Sequence, residues 1–220
     1  MAFDPVQLGL WEPPPERLGG FRALPMPLAD ARYDPCFLAP AAARDLFETL
    51  MVQEPWRQSR RKMWDREVDV PRLQTWYGDD DTPIDFPDGR VAPRPWPPIL
   101  LALRDQVSAA CGEHFDAVLL NLYRDGRDSV AWHSDYEGRQ GGQVVIASLT
   151  LGAVRRFMFR PKPGREGCIL AFDLPAGSLL VMGDGVQEHW EHHVPKTARP
   201  VGPRINLTFR RVRRADRTAS

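Results

Sequence analysis

His133-Ser134-Asp135 sets an imidazole and a carboxylate two residues apart. Alternate side chains of an extended strand share a face, so both groups can enter one cavity as two ligands of a metal ion. A His-x-Asp pair also arises by chance on surfaces, and its meaning depends on what surrounds it. A third ligand is available late in the chain, where HWEHHV offers His189, His192 and His193. His192 shares a face with Trp190, whereas His189 shares one with Glu191 and His193. Periodicity does not choose among them.

The run RINLTFR adds a different chemistry. Arg204, Asn206, Thr208 and Arg210 fall on one face of a strand and Ile205, Leu207 and Phe209 on the other. The polar face lines either an interior site or, on an edge strand, solvent. Arginine forks bind carboxylates bidentately, so an inward pair suits an anion such as a dicarboxylate. Asn121 and Tyr123 in NLY share a face and fit the same cavity, opposite the apolar side made by Val118, Leu120 and Leu122. Two histidines and one carboxylate leave three positions open on an octahedral ion, the facial arrangement of non-haem Fe(II) oxygenases. A zinc hydrolase is the inorganic alternative, and it would have little use for the arginine face.

Positioning these groups takes strands. From residue 117 onward the pattern has period two, over 117–123, 129–135, 143–152, 155–162, 168–174, 177–184, 189–196 and 204–212, with turn-rich joints and no intervening helix. Two helices precede it. One opens at Pro40 with Ala43, Phe47, Leu50 and Met51 at helical spacing; the other runs from about Pro98 to Phe115 with Ile99, Leu103, Val107 and Cys111 on one face and Gly112 near its end. The expected fold is mostly β with α support: a double-stranded β-helix, or jelly roll, buttressed by N-terminal helices.

The chain has 220 residues, 43% of them hydrophobic, enough for one large domain with a substantial core. Its 22 prolines concentrate in residues 5–40 and 83–98, which are expected to be irregular. The organisation that follows is an extended Pro-rich arm over residues 1–38 and a single domain over 39–212. A basic tail follows at 213–220. Lys+Arg and Asp+Glu each number 29, which excludes a globally basic coat, so any polyanion site must be local. The longest apolar run, Ile99 to Leu103, is far too short to span a membrane. Acids and prolines in MAFDPVQLGLWEPPPE, with three widely spaced cysteines, lead to the expectation of a cytoplasmic protein whose thiols serve packing.

NLYRDGRDSVAWHSD, ASLTLGAVRRFMFR, GSLLVMGDGVQEHWEHHVPK and PRINLTFR resemble the AlkB family of Fe(II)- and 2-oxoglutarate-dependent nucleic-acid dealkylases, especially its DNA-repair branch. PRLQTWYGD resembles that branch's substrate-recognition segment, so the resemblance implies a nucleotide-recognition segment over 55–95 within the dioxygenase domain, and the similarity covers about residues 70–212. The resemblance implies His133, Asp135 and His192 as iron ligands. It implies Asn121, Tyr123, Arg204, Asn206, Thr208 and Arg210 as the 2-oxoglutarate site, Arg204 with Tyr123 on the distal carboxylate and Arg210 near the chelating one. Glu137 would face the damaged base, and Phe86 would stack on it opposite His133. Trp76 and Tyr77 stand nearby as substitutes, and Arg72 belongs to the same substrate surface. Tyr136 departs from the pattern, since an acidic residue is common there.

The activity so implied is oxidative demethylation of 1-methyladenine and 3-methylcytosine in DNA, preferentially single-stranded, with RNA as a further substrate. Fe(II), 2-oxoglutarate and O2 take part, and succinate and formaldehyde are released. Such bases are cationic, which gives Glu137 charge complementarity. Arg57, Arg60, Arg61, Lys62, Arg66 and Arg72 interleave with Trp56 and Trp64, and Arg211, Arg213, Arg214 and Arg217 follow the last strand. Both clusters suit a phosphate track, against the alternative of a solvated charged face. The protein is expected to be a monomer with no membrane partner. The competing readings are a demethylase or hydroxylase of RNA or of a non-nucleic-acid substrate, and a catalytically silent nucleic-acid-binding module.

Overall fold

The alternating segments condense into two facing sheets. The computed structural model describes residues 6–7, 20–63, 65–79, 82, 84–86, 89–135 and 145–211. In order the elements are β1 (Val6–Gln7), β2 (Arg22–Ala23), β3 (Ala31–Asp34), α1 (Pro40–Gln53), β4 (Arg57–Met63), β5 (Arg66–Gly78), β6 (Ile84–Phe86), β7 (Gly89–Val91) and α2 (Pro98–Cys111). They continue with β8 (Ala117–Tyr123), β9 (Val130–His133), β10 (Ile146–Gly152), β11 (Arg155–Pro161), β12 (Leu170–Leu174), β13 (Leu179–Met182), α3 (Val186–His189), β14 (Trp190–Val194) and β15 (Arg204–Arg210). The large sheet has the order β2-β3-β13-β10-β15-β8-β5-β4 and the small one β1-β12-β11-β14-β9; β6 and β7 form a separate pair.

This order answers the question of where the polar face of β15 points. The strand lies between β10 and β8 inside the large sheet, and all seven of its residues are buried. Its polar face therefore lines the interior, and the edge-strand alternative fails.

Alternation then sorts the core into two layers. Ile205, Leu207 and Phe209, with Val118, Leu120, Leu122, Ala147, Leu149 and Leu151, pack outward against Ala43, Leu46 and Leu50 of α1 and Leu100, Leu103 and Val107 of α2. Between the sheets Ile146, Leu180, Met182, Phe157, Phe159, Phe172 and Trp190 form a second cluster. The helices do buttress the large sheet from outside. Phe47 packs so closely beneath the β10–β15 end that a Cβ on Gly152, which has φ +78°, would lie 2.5 Å from its ring and from the Pro203 carbonyl.

Several local expectations need correction. The buried stripe of α2 is Leu100, Leu103, Val107 and Cys111, while Ile99 is 38% exposed, because the 3.6-residue period favours position 100 over 99. The helix stops at Cys111, not near Phe115, because Gly112 caps it in the left-handed region (φ 71°), its N–H donating to the Ser108 carbonyl. A short helix, α3, interrupts the strand run. Within residues 1–38, β3 pairs antiparallel with β13 and β2 with β3, so this part of the Pro-rich span extends the large sheet.

The β4–β5 hairpin was hidden by its charges and by Pro71. Gln58 pairs with Leu73 and Arg60 with Asp69, so Val70, Pro71 and Arg72 stand opposite Ser59 alone. The bulge places proline where the ladder needs no N–H and re-aims Arg72.

Candidate metal centre and anion pocket

β9 and β14 are antiparallel neighbours with His133 directly opposite His192. Their rings lie 4.2 Å apart, and ligand atoms of His133, Asp135 and His192 all fall within 4.8 Å of one another. His133 Nε2 is 3.8 Å from Asp135 Oδ1, and His192 Nε2 is 3.6 Å from Oδ2. His133 Nδ1 meets two acceptors, the carbonyls of Ala131 (2.8 Å) and His192 (3.1 Å), so it carries the proton and leaves the Nε2 lone pair facing Asp135.

Register also separates the three late histidines. His192 is buried in the cavity. His193 points to the other face, where Nδ1–H donates to the Val130 carbonyl (2.7 Å) and the ring stacks on Trp132. His189 ends α3 beside Glu188. Burial, with His133 and against the pull of Asp135, pushes His192 down to about 3, so its imidazole is neutral at pH 7 and able to ligate. Burial opposes the charge on Asp135, but Arg210, His192, His133 and Arg72 outweigh it and hold the carboxyl below its ordinary value.

Three groups that the sequence reading missed support this cluster. Gln187 Oε1 accepts from the Asp135 backbone N–H (2.9 Å), Ser134 Oγ–H donates to the Trp190 carbonyl (2.8 Å), and Phe157 stacks on His192. Gln187 left no mark in the alternation because it sits on α3. Phe157 was legible as an inward residue of β11.

The adjoining pocket is lined by Asn121, Tyr123, Ser148, Arg204, Asn206, Thr208 and Arg210 along with His133, Asp135 and His192. Arg210 Nη2 approaches Asp135 Oδ1 at 3.8 Å, next to the candidate metal site. Arg204, at the opposite end of β15, is 1% exposed; its Nη2 donates to Thr150 Oγ1 and Asn206 Oδ1, both at 2.8 Å. Its Nε and Nη1 are buried without a hydrogen-bond partner. A desolvated guanidinium with two unmatched donors is costly unless an acceptor arrives. The donor set therefore fits a carboxylate at that end and a metal-chelating acid at the other.

Around the pocket the polar side chains are fixed by one another. Asn206 Oδ1 accepts from Ser148 as well as Arg204, so its amide nitrogen donates to Thr208 Oγ1 (2.8 Å). Asn121 Oδ1 accepts from Arg72 Nε and Gln74 Nε2, each at 2.9 Å.

The residues expected to face a base fare differently. Trp76 is 2% exposed, with Nε1–H on the Thr82 carbonyl and Arg210 above its ring, one layer behind the pocket. Tyr77 points to the helix side, where its hydroxyl donates to Glu54 (2.7 Å), because successive residues of β5 alternate faces; it is a core residue and not a substitute base platform. Phe86 belongs to β6, and its side chain, like Trp64, Tyr136, Glu137 and residues 212–220, lies outside the described residues. On the hairpin Arg60 pairs with Asp69 (3.2 Å) and Glu67 (3.7 Å), whereas Arg61, Lys62 and Arg66 are exposed.

Comparison with known proteins agrees with this arrangement. The family described as the 2OG-Fe(II) oxygenase superfamily matches residues 30–210. The chain is 39% identical over 186 residues to alpha-ketoglutarate-dependent dioxygenase alkB homolog 3 of Bos taurus, covering 81% of this chain and 64% of that protein. It is 35% identical over 181 residues to the DNA oxidative demethylase ALKBH2 of Homo sapiens, covering 78% and 69%. The solved structure of OsALKBH1 superposes with a TM-score of 0.59 at 17% identity, over 87% of this chain and 100% of that one, a likeness of fold. The chain thus spans just under two thirds of the bovine relative and somewhat more of the human one. A family match across most of the chain, joined to a relative above 30% identity over most of its own length, settles the affiliation: the chain belongs to the AlkB family of 2OG-Fe(II) oxygenases.

Proposed function

We propose that the protein is an Fe(II)- and 2-oxoglutarate-dependent dioxygenase that demethylates N-alkylated bases in nucleic acid, acting on 1-methyladenine and 3-methylcytosine in single-stranded DNA. The observation that carries this is the pairing of the His133–Asp135–His192 cluster with a buried Arg204 whose Nε and Nη1 lack partners.

When bound, the metal and the keto acid supply oxidative attack on a C–H bond, which side chains cannot perform. The protein's part is to hold and aim. His133, Asp135 and His192 would bind iron from one side, with Asp135 kept ionised by Arg210. Arg204 would take the distal carboxylate on its unmatched donors, its plane fixed by Thr150 and Asn206. Asn121, Tyr123 and Thr208 would complete the wall, and Arg210 would neutralise the carboxylate nearer the metal. Phe157, Met182, Val194 and Leu119 make the rest of the lining apolar and exclude water. A methylated base must leave its stack to reach this depth, which suits single strands or a flipped nucleotide. The exposed Arg61, Lys62 and Arg66 supply local positive charge for the phosphates, and the name of the human relative supports DNA as the polymer.

The test incubates purified protein with Fe(II), 2-oxoglutarate and oligonucleotides carrying either methylated base, as single- and double-stranded DNA and as RNA, with methyl loss read by mass spectrometry. Fastest loss from single-stranded DNA is expected. Turnover confined to RNA would move the assignment to RNA, and none on any oligonucleotide would refute it.

A further inference from the structure

Two arginines meet Tyr123 at the Arg204 end of the pocket, and one of them lies outside β15. Arg204 Cζ lies 5.2 Å from the Tyr123 ring centroid and Arg155 Cζ 5.8 Å from it. Arg155 opens β11 on its inward face with Phe157 and Phe159 and is 3% exposed. Its guanidinium donates to the carbonyls of Asp125 (3.0 Å), Asp128 (2.8 Å) and Pro195 (2.7 Å), tying the loop after β8 to the chain leaving β14.

Among the described residues neither Arg155 nor Arg204 forms an ion pair with a carboxylate. The nearest acids are committed elsewhere, Asp125 to Arg127 (2.7 Å) and Asp128 to Arg124 (2.8 Å). Two buried cations thus flank one tyrosine, hydrogen-bonded among the described residues to main-chain, hydroxyl and amide oxygens; burial opposes the charge on Arg155 and outweighs the support that Asp128 and Asp125 give it from a distance. Carbonyl oxygens satisfy the hydrogen bonds of Arg155 but do not neutralise it. An anion entering beside Arg204 would feel both charges, whereas an apolar tail would feel neither and would leave the unmatched donors of Arg204 desolvated.

We propose that Arg155 is a specificity determinant for the co-substrate. Acting with Arg204 across Tyr123, it favours a keto acid with a second carboxylate over one that ends in a methyl group. The inference rests on reading this pocket as the 2-oxoglutarate site. Arg155 is a positioning and charge-setting residue, held one side chain away from the ligand.

The test is calorimetric titration of the full chain loaded with Mn(II), using 2-oxoglutarate and 2-oxopentanoate, which has a methyl group in place of the distal carboxylate. Wild type should prefer 2-oxoglutarate. Arg155→Gln, which can still donate to main-chain carbonyls, should lose roughly tenfold of that preference, the scale of one nearby buried charge. Its affinities for 2-oxopentanoate and Mn(II) should not change. Arg155→Lys, which keeps the charge, should retain most of the preference. Equal weakening of both keto acids, or an unchanged ratio in Arg155→Gln, would overturn the role of Arg155 and reduce it to a loop brace. A wild type with no preference for 2-oxoglutarate would instead contradict the reading of the pocket itself, so the two failures are distinct.

Discussion

His133 and His192 are register partners on adjacent antiparallel strands, their rings 4.2 Å apart over the carboxylate of Asp135. The relationship depends on backbone pairing as much as on side-chain type. A shift of one residue in either strand would turn an imidazole out of the cavity.

Register therefore makes a sharp prediction about the late histidines. His192→Ala should weaken Mn(II) or Co(II) binding by more than the roughly 10–100-fold typical of outer-shell losses. His193→Ala, which removes contacts to Val130 and Trp132 on the far face, should leave metal affinity near wild type. Metal titration of both variants checks this, and the reverse order of effects would sink the ligand assignment.

Gln187 should matter through Asp135. Its Oε1 accepts from the backbone N–H of Asp135 (2.9 Å), so, with Asp135 as a ligand, Gln187→Leu should cost metal affinity about 10–100-fold with the fold retained by circular dichroism. Gln187→Glu keeps the acceptor and should bind metal far better than the leucine variant. Equal metal affinity in the leucine variant and wild type would remove Gln187 from the account.

Glu54 offers a pH test of the fold. Burial raises its carboxyl above the ordinary value of 4.5, incompletely offset by the Tyr77 hydrogen bond and by Arg94. The folded chain therefore binds this proton more tightly than the unfolded one. The contribution of Glu54 to stability is full below about pH 4.5 and is lost as pH rises through the raised value. Glu54→Gln keeps an acceptor for Tyr77 without the charge. Its melting temperature should exceed that of wild type at pH 7 to 8, with the gap closing towards pH 4; a gap independent of pH would contradict this.

Nucleic-acid binding should be salt-dependent through the β4–β5 hairpin. Each phosphate contact to a single strand contributes a log-log slope of about −0.7. Replacing exposed Arg61 and Lys62 by Gln should flatten the slope by about 1.4, whereas Arg60→Gln, already paired with Asp69 and Glu67, should change it less. Fluorescence anisotropy across a salt series measures it. An unaltered slope in the double variant would transfer the phosphate track to the basic residues that follow β15.

Alternation carried most of what was legible in advance. The strand at Ala117–Tyr123 is expected over those residues, the core of β15 likewise, and as neighbours in one sheet they set their polar residues side by side on the same wall of the pocket. What alternation could not supply was pairing. His192 could not be told from His193 by period alone because the choice belongs to the β9–β14 register. Tyr77 does not serve as a substitute beside Trp76 because the two aromatics of TWY sit on opposite faces of β5. The β4–β5 hairpin carried too much charge and a proline to show a strand pattern. Arg155 was legible in principle, since RRFMFR places it inward with two phenylalanines, but a buried cation is easily passed over as a surface arginine. Gln187 gave no pattern at all, being joined to Asp135 only in three dimensions.

The most direct test of the central claim is the stoichiometry of turnover on a single-stranded oligonucleotide carrying 1-methyladenine, in wild type and Arg204→Met. The account predicts about one succinate and one formaldehyde per methyl group lost by wild type. Leaving the distal carboxylate unpaired costs about 3 kcal/mol, so the variant should need roughly 100-fold more 2-oxoglutarate while metal affinity persists. Methyl loss without succinate, or an Arg204→Met variant with an unchanged 2-oxoglutarate requirement, would contradict it.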